Sequence, residues 1–332
     1  MPFATASLAA GGGAVVYLNC AEARSDALIV TPGRVEVLPL AGCGLRETGD
    51  LAVEWQAALL TLEREWSMRV FRVVERVLTT LWERVARPVL AALPDEPRVW
   101  WIPTGPLALL PVHAALGDDG SVLDRSVSSY TPTLRDLAEA RRRAAVEREV
   151  NALVVAVPQG PVPLPGAARE AREVGRRLGG RSLLDATVAE VVGALPAASH
   201  AHFACHGAQD VLDPASARLI LHDGPLWLRD LAELRLPAAR LAYLSACRTA
   251  VGALRLTDEA VHLAATMQLI GFPEVVATGW AVDDSLAAEI AAGVYDRLAA
   301  GGAVALRETI LATRAAHPDD VLLWSAYLHL GP

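Results

Sequence analysis

The shortages in this 332-residue sequence already exclude several function classes. It has only four cysteines, Cys20, Cys43, Cys205 and Cys247, and no two of them form a CxxC pair. A disulfide framework is therefore not expected, and each cysteine is read as a free thiol. No stretch of about 18 apolar residues runs uninterrupted, and the opening "MPFATASLAAGGG" lacks a basic region followed by an apolar one. The expectation is a soluble, intracellular, cytoplasmic protein with no membrane partner. Basic runs are absent too, apart from Arg141–Arg143 in "AEARRRAAVERE", and 38 acidic residues outnumber 30 basic ones for a net charge of -8. A nucleic-acid surface is not indicated, and the short basic run reads as the solvated face of a helix. No internal repeat or coiled coil is evident, and the 34-residue period of tetratricopeptide sensors is missing. What the chain does have is 53% hydrophobic residues, ample for the core of one large or two ordinary domains.

Three β-rich runs come first, at 14–20, 26–31 and 34–40, punctuated by Gly, Pro and Asp as in a small antiparallel meander. From Leu51 to about Leu93 the apolar residues Trp55, Leu59, Leu62, Trp66, Val70, Val74, Val77 and Leu81 recur in steps of three and four. That spacing predicts one long amphipathic helix, or two in tandem, whose apolar stripe faces the core. "RVWWIPTGPLALLPVHAAL" (98–116) reads as a strand, a turn and a second apolar element, and a helix follows from about Thr133 to Glu149.

Thereafter strands and helices alternate. Strands are expected at 152–158, 181–185, 201–207, 241–247, 274–282 and 322–330, with helices at 168–178, 189–195, 258–270, 285–299 and 303–315. The segment 217–222 belongs either to the main sheet or to a hairpin flap. Alternation of this kind implies an α/β layer structure with a mainly parallel sheet, whose ligands bind at the carboxyl ends of the strands.

Two strand ends deliver reactive side chains. "HFACHG" ends on His206 and Gly207, and "YLSACRTA" ends on Cys247. If 217–222 is a flap, the two strands are sequential parallel neighbours about 4.8 Å apart, and the imidazole and thiol can meet. Such a pair supplies a thiolate nucleophile and an imidazole that serves first as base and then as acid. The backbone N–H groups of Gly207 and Cys247 would form an oxyanion hole. The interval of 41 residues from His206 to Cys247 is near the roughly 50 residues of caspases, and "SACRT" resembles their signature.

"HFACHG", "LSACRTA", "TGWAVDD", "WIPTGPLALLPVHAAL" and "PLPGAAREA", each in its expected place, together resemble the CHAT domain of caspase-like and separase-like peptidases. The resemblance spans nearly the whole chain. It implies a caspase-like three-layer α/β fold with a mainly parallel central sheet over residues 146–332. An N-terminal α+β subdomain, residues 1–145, would resemble the pseudo-caspase partner of separases and act structurally or as a regulator. His206 then stands at the position of the catalytic histidine and Cys247 at that of the nucleophile. Arg248 follows Cys247, where it either favours the thiolate or is solvated or ion-paired, and "GWAV" stands where many relatives have "LWPV". The implied activity is a cysteine endopeptidase that makes limited cuts in a protein or peptide substrate, in bacterial defence or regulated cell death, without a cofactor. An upstream sensor or activator is an implied partner. The alternative is a scaffold module of the same fold that turns nothing over until a partner reshapes it.

The cluster "SHAHFACHGAQD" (199–210) also raises the question of a metal. On one strand His200, His202 and His206 would share a face and Cys205 the other, but His202 and His206 would lie roughly 13 Å apart. One zinc cannot take both, so no metal is expected. Cys205 reads as a small buried hydrophobe and His202 as a core histidine or a support for the site. Asp283 and Asp284 follow a strand expected beside that of Cys247, so their carboxylates either line a pocket for a basic residue before the cut bond or cap the next helix. Asp258, with Glu259, has the same two readings.

Overall fold

The structure is a computed structural model that describes residues 7–62, 68–95, 97–160, 163–210, 213–245 and 263–332. Of residues 209, 210, 213–216, 228, 284 and 285 only the backbone is described. Contacts divide the chain into two units, with described residues 7–138 in the first and 139–245 and 263–332 in the second. No helix among the described residues is long and apolar enough to cross a membrane.

The first unit opens with the expected meander: β1 (Ala14–Cys20), β2 (Ser25–Thr31) and β3 (Arg34–Pro39) pair antiparallel in sequence. β4 (Arg98–Pro103) joins β1 in parallel. A two-residue hairpin, β5 (Leu116–Gly117) and β6 (Gly120–Ser121), precedes β7 (Val127–Tyr130), which is parallel to β4.

The long helical region is broken, with α1 (Leu45–Leu62) followed by α2 (Met68–Leu81). Its stripe is core, because Trp55, Leu59, Val70, Val74, Val77 and Leu81 are all buried; Trp66 lies outside the described residues. α2 runs on through a π turn, Trp82–Ala86, into Arg87–Ala91. Pro88 accounts for that turn, since it has no N–H to give the carbonyl four residues back. The carbonyl in question, on Arg84, takes the Cys43 thiol as donor at 3.7 Å instead. Buried tryptophans require partners for their N–H groups. Trp82 donates to Asp119 at 2.6 Å and Trp101 to Ser128 at 2.8 Å.

The second unit alternates as the sequence predicts. After α3 (Leu134–Ala144), where Arg142 and Arg143 both pair with Glu139, come β8 (Ala152–Ala156), α4 (Gly166–Leu178), β9 (Arg181–Leu184), α5 (Val188–Ala194) and β10 (His200–Ala204). β11 (His206–Asp210), β12 (Asp213–Ile220) and β13 (Pro225–Trp227) form a separate antiparallel sheet. The main sheet resumes with β14 (Leu241–Ser245), α6 (Leu263–Ile270) and β15 (Glu274–Thr278), then α7 (Asp284–Arg297), α8 (Gly302–Ala316) and β16 (Tyr327–Leu330). Its order is β9, β8, β10, β14, β15, β16, parallel throughout except for the last strand. Helices cover both sides of this mainly parallel sheet, so the α/β architecture is as expected.

Three expected strands differ, and the run 274–282 is one of them, since β15 stops at Thr278. The run 201–207 is not one strand: β10 stops at Ala204, the chain bends at Cys205, and His206 opens β11 in the other sheet. The run 322–330 starts with a helical turn, Val321–Trp324, because the Asp320 carboxylate accepts the Leu323 N–H at 3.1 Å and caps it.

At the amino ends of these strands Glu274 carries a buried charge network. Its Oε2 accepts the Gly302 N–H at 2.9 Å and lies 3.5 Å from His329 Nε2. A side chain at position 302 would crowd that oxygen and force the Glu274 carboxylate to shift. Burial pushes the Glu274 carboxyl upward, but His329, the Gly302 N–H and Arg240 outweigh it and hold it below its ordinary value. A depressed carboxylate stabilises the fold above its unfolded pKa of about 4.3, and that contribution disappears as pH falls through the lower folded value. Glu274→Gln is therefore expected to cost about 2 kcal/mol near neutrality, and less at acid pH. Urea melts at pH 7 and pH 4 check this; an equal loss at both would contradict it.

Candidate active site

The main sheet of the second unit ends its parallel strands on one edge, at Ala156, Ala204, Ser245 and Thr278. β10 and β14 are neighbours there, in register from His200 opposite Leu241 to Ala204 opposite Ser245. The flap alternative is the one observed, and it is what makes these two strands adjacent. His206 lies two residues beyond the last pair. Cys247, two residues past Ser245 in sequence, lies outside the described residues, as do Arg248, Asp258 and Glu259.

The small sheet beyond the bend has one apolar face and one open face. His206 pairs with Ile220, Gly207 with Leu219 and Ala208 with Arg218, while Arg218, Leu219 and Ile220 pair in turn with Trp227, Leu226 and Pro225. Because directly paired residues share a face, Gly207 falls with Leu219 and Leu226, both fully buried. His206 falls on the opposite face, in one row with Ile220 and Pro225. The next row on that face is Ala208, Arg218 and Trp227. The guanidinium carbons of Arg218 and Arg229 each stand 5.0 Å from the Trp227 ring centre. His206 itself is half-buried, and its Nε2 is fully covered with no hydrogen-bond partner among the described residues.

Past Thr278 the chain is anchored by Trp280, which is buried and donates its indole N–H to the Leu322 carbonyl at 2.7 Å. Asp283 follows as an exposed residue just ahead of α7, and its carbonyl accepts the Ala287 N–H at 3.0 Å, which makes it the cap position. Asp284 is the first residue of α7, and its side chain is outside the description. β15 is the parallel neighbour of β14, so this pair of aspartates enters from the strand expected to bring it.

Cys20, Cys43 and Cys205 are buried. Burial pushes the Cys43 thiol up to about 11, far from a reactive thiolate. Cys205 is 1% exposed, in keeping with a small core residue. Among the described residues no group of three or more His, Cys, Asp and Glu is arranged to hold a metal.

A buried polar cluster lies beneath the site, and only one of its members, His202, was singled out in the sequence. His202 Nδ1 meets the Tyr295 hydroxyl at 3.1 Å, and its Nε2 lies 3.0 Å from Glu170 Oε1, a contact of charge and dipole without the alignment of a hydrogen bond. The ring stacks on Tyr243, its register partner, with centres 4.9 Å apart. Burial, and after it the Glu170 carboxylate, raises the Tyr295 hydroxyl well above its ordinary range, so it stays protonated. The signal for Glu170 was in "PLPGAAREA". Ala167, Glu170, Ala171 and Val174 form the buried face of α4, and a carboxylate on an apolar face needs a partner.

The CHAT domain family model matches residues 75–332. No curated protein matches the sequence. Among solved structures, a chain of the Saccharomyces cerevisiae separase–securin complex is similar with a TM-score of 0.69 and 9% identity, over 99% of this chain and 31% of its own length. The complex of Porphyromonas gingivalis RgpB pro- and mature domains gives 0.50 and 11%, over 86% of this chain and 75% of the other. At such identities the likeness is one of fold, and the fold is the caspase-like one of separase. The present chain spans about a third of the length of the separase-complex chain.

Proposed function

The chain belongs to the CHAT domain family, and from that premise we propose that it is a cysteine endopeptidase with Cys247 as nucleophile and His206 as base. The observation that carries this is the His206 imidazole. It stands just beyond the carboxyl edge where β10 and β14 run side by side, with its Nε2 covered and unpartnered among the described residues. Cys247 follows the last paired residue of β14 by the same two positions by which His206 follows that of β10.

In the proposed reaction His206 Nε2 takes the Cys247 proton and the thiolate sulfur bonds to the substrate carbonyl carbon. The backbone N–H groups of Gly207 and Cys247 would hold the oxyanion. Collapse breaks the C–N bond, and the imidazolium gives its proton to the leaving amine. Water then hydrolyses the thioester with His206 again as base. Asp283, Asp284 and Asp258 are the candidates for a pocket that accepts a basic residue, and residues 1–145 are assigned a structural or regulatory role.

The test is covalent. A peptidyl acyloxymethyl ketone with Arg next to its warhead should alkylate Cys247, located by mass spectrometry, and His206→Ala should slow the labelling. Labelling of another cysteine, or of Cys247 at an unchanged rate in the variant, would overturn the dyad.

A further inference from the structure

The cluster under the site draws on three elements of the second unit that lead toward a proposed catalytic or pocket residue. β10 carries His202, and past the bend at Cys205 the chain reaches His206 four residues on. β14 carries Tyr243 and runs on toward Cys247. α7 carries Tyr295 near one end and has Asp284 at the other. α4 supplies Glu170, and it is tied to α7 again by Arg177, which pairs with Asp296 at 2.8 Å.

Stability alone does not account for a carboxylate and an imidazole in this place. Their side chains are 3% and 0% exposed, and desolvating polar groups of this kind costs several kcal/mol per ion, a loss that well-packed apolar residues avoid. What apolar packing does not supply is direction. The His202 ring is held from one side by a hydroxyl at 3.1 Å, from the other by a carboxylate at 3.0 Å, and across its face by Tyr243. Shifting β10 along its axis would break the first two contacts together, whereas aliphatic contacts would tolerate the same shift. A proton transfer between side chains has little tolerance: the supporting shell must hold them to within about 0.5 Å, and a misplacement of about 1 Å can cost roughly 100-fold in rate.

We propose that Glu170, His202 and Tyr295 are positioning residues that fix β10 against β14 and α7, and thereby set the His206 imidazole relative to the Cys247 strand. The role of His206 rests on the endopeptidase reading; its placement by the cluster does not.

The experiment uses Tyr295→Phe and Glu170→Gln in the full chain, the first removing the hydroxyl contact and the second the charge, each at nearly constant volume. In both, kcat on an Arg peptide should fall 10- to 100-fold with KM within about twofold, at a temperature where circular dichroism shows the variant folded. Spectra of protein labelled with carbon-13 at the histidine ring should show the His206 resonance displaced, while those of His113 and His317 stay in place. An unmoved His206 resonance in both variants overturns the proposal, and so does a kcat that falls only with the folded fraction. If wild type neither cleaves a peptide nor is alkylated at Cys247, the endopeptidase reading fails, and the resonance alone decides the positioning role. Should Glu170→Gln not fold, Tyr295→Phe, which loses only a hydroxyl, carries the test.

Discussion

Cys247→Ala is expected to lower kcat on a fluorogenic Arg peptide by ~10⁴-fold or more, because no other group supplies the acyl acceptor. His206→Ala should cost a comparable factor, and the double variant little beyond either, since nucleophile and base act as a unit. Three of the four cysteines are buried and cannot substitute. Near-wild-type cleavage by Cys247→Ala would remove the nucleophile assignment. A wild type that is silent with all peptides separates two further cases. Rapid alkylation of Cys247 by the acyloxymethyl ketone would mean a formed dyad gated by an absent activator; no alkylation would favour the scaffold alternative.

Helix and strand order was legible wherever one periodicity held over a whole element, as in α4 or β14, because burial on one face imposes the pattern directly. It failed at Cys205. Nothing in "HFACHG" marks a break before its last residue but one, since the strand ends there to let His206 join a second sheet, and that pairing is made with Ile220, 14 residues away. The helical turn at Val321–Trp324 hid in an apolar run, although Asp320 was present as its cap. At the candidate site, His206 stood out because a reactive side chain near an expected strand end is visible in one sequence window, although it opens β11 and does not end β10. Glu170 did not, because its meaning depends on His202 and Tyr295, 32 and 125 residues away in the chain. Contacts of that kind are set by tertiary packing and leave only an odd carboxylate on an apolar helix face.

The second large effect concerns substrate choice and separates the two aspartates before α7. Asp283 holds the cap position, its carbonyl closing the first helical hydrogen bond with Ala287. Asp283→Ala is therefore expected to act mainly on stability, by about 1 kcal/mol, read in a urea melt, with Arg selectivity kept. Asp284, the first helical residue, is the better candidate for the pocket wall, where the amino end of a 14-residue helix favours a carboxylate. Truncating one partner of a desolvated charge pair costs about 2–5 kcal/mol. Asp284→Asn should accordingly lower kcat/KM for Arg peptides by roughly 30-fold to several thousandfold, with a smaller loss for peptides carrying an uncharged residue there. Arg should also be preferred over Lys in wild type, because a carboxylate can take both arms of a guanidinium at once. Asp258→Asn is the companion measurement: if it, and not Asp284→Asn, abolishes Arg selection, the pocket carboxylate is Asp258. A peptide library in which wild type selects Asp before the cut bond would overturn the acidic pocket altogether, since a carboxylate wall repels that side chain.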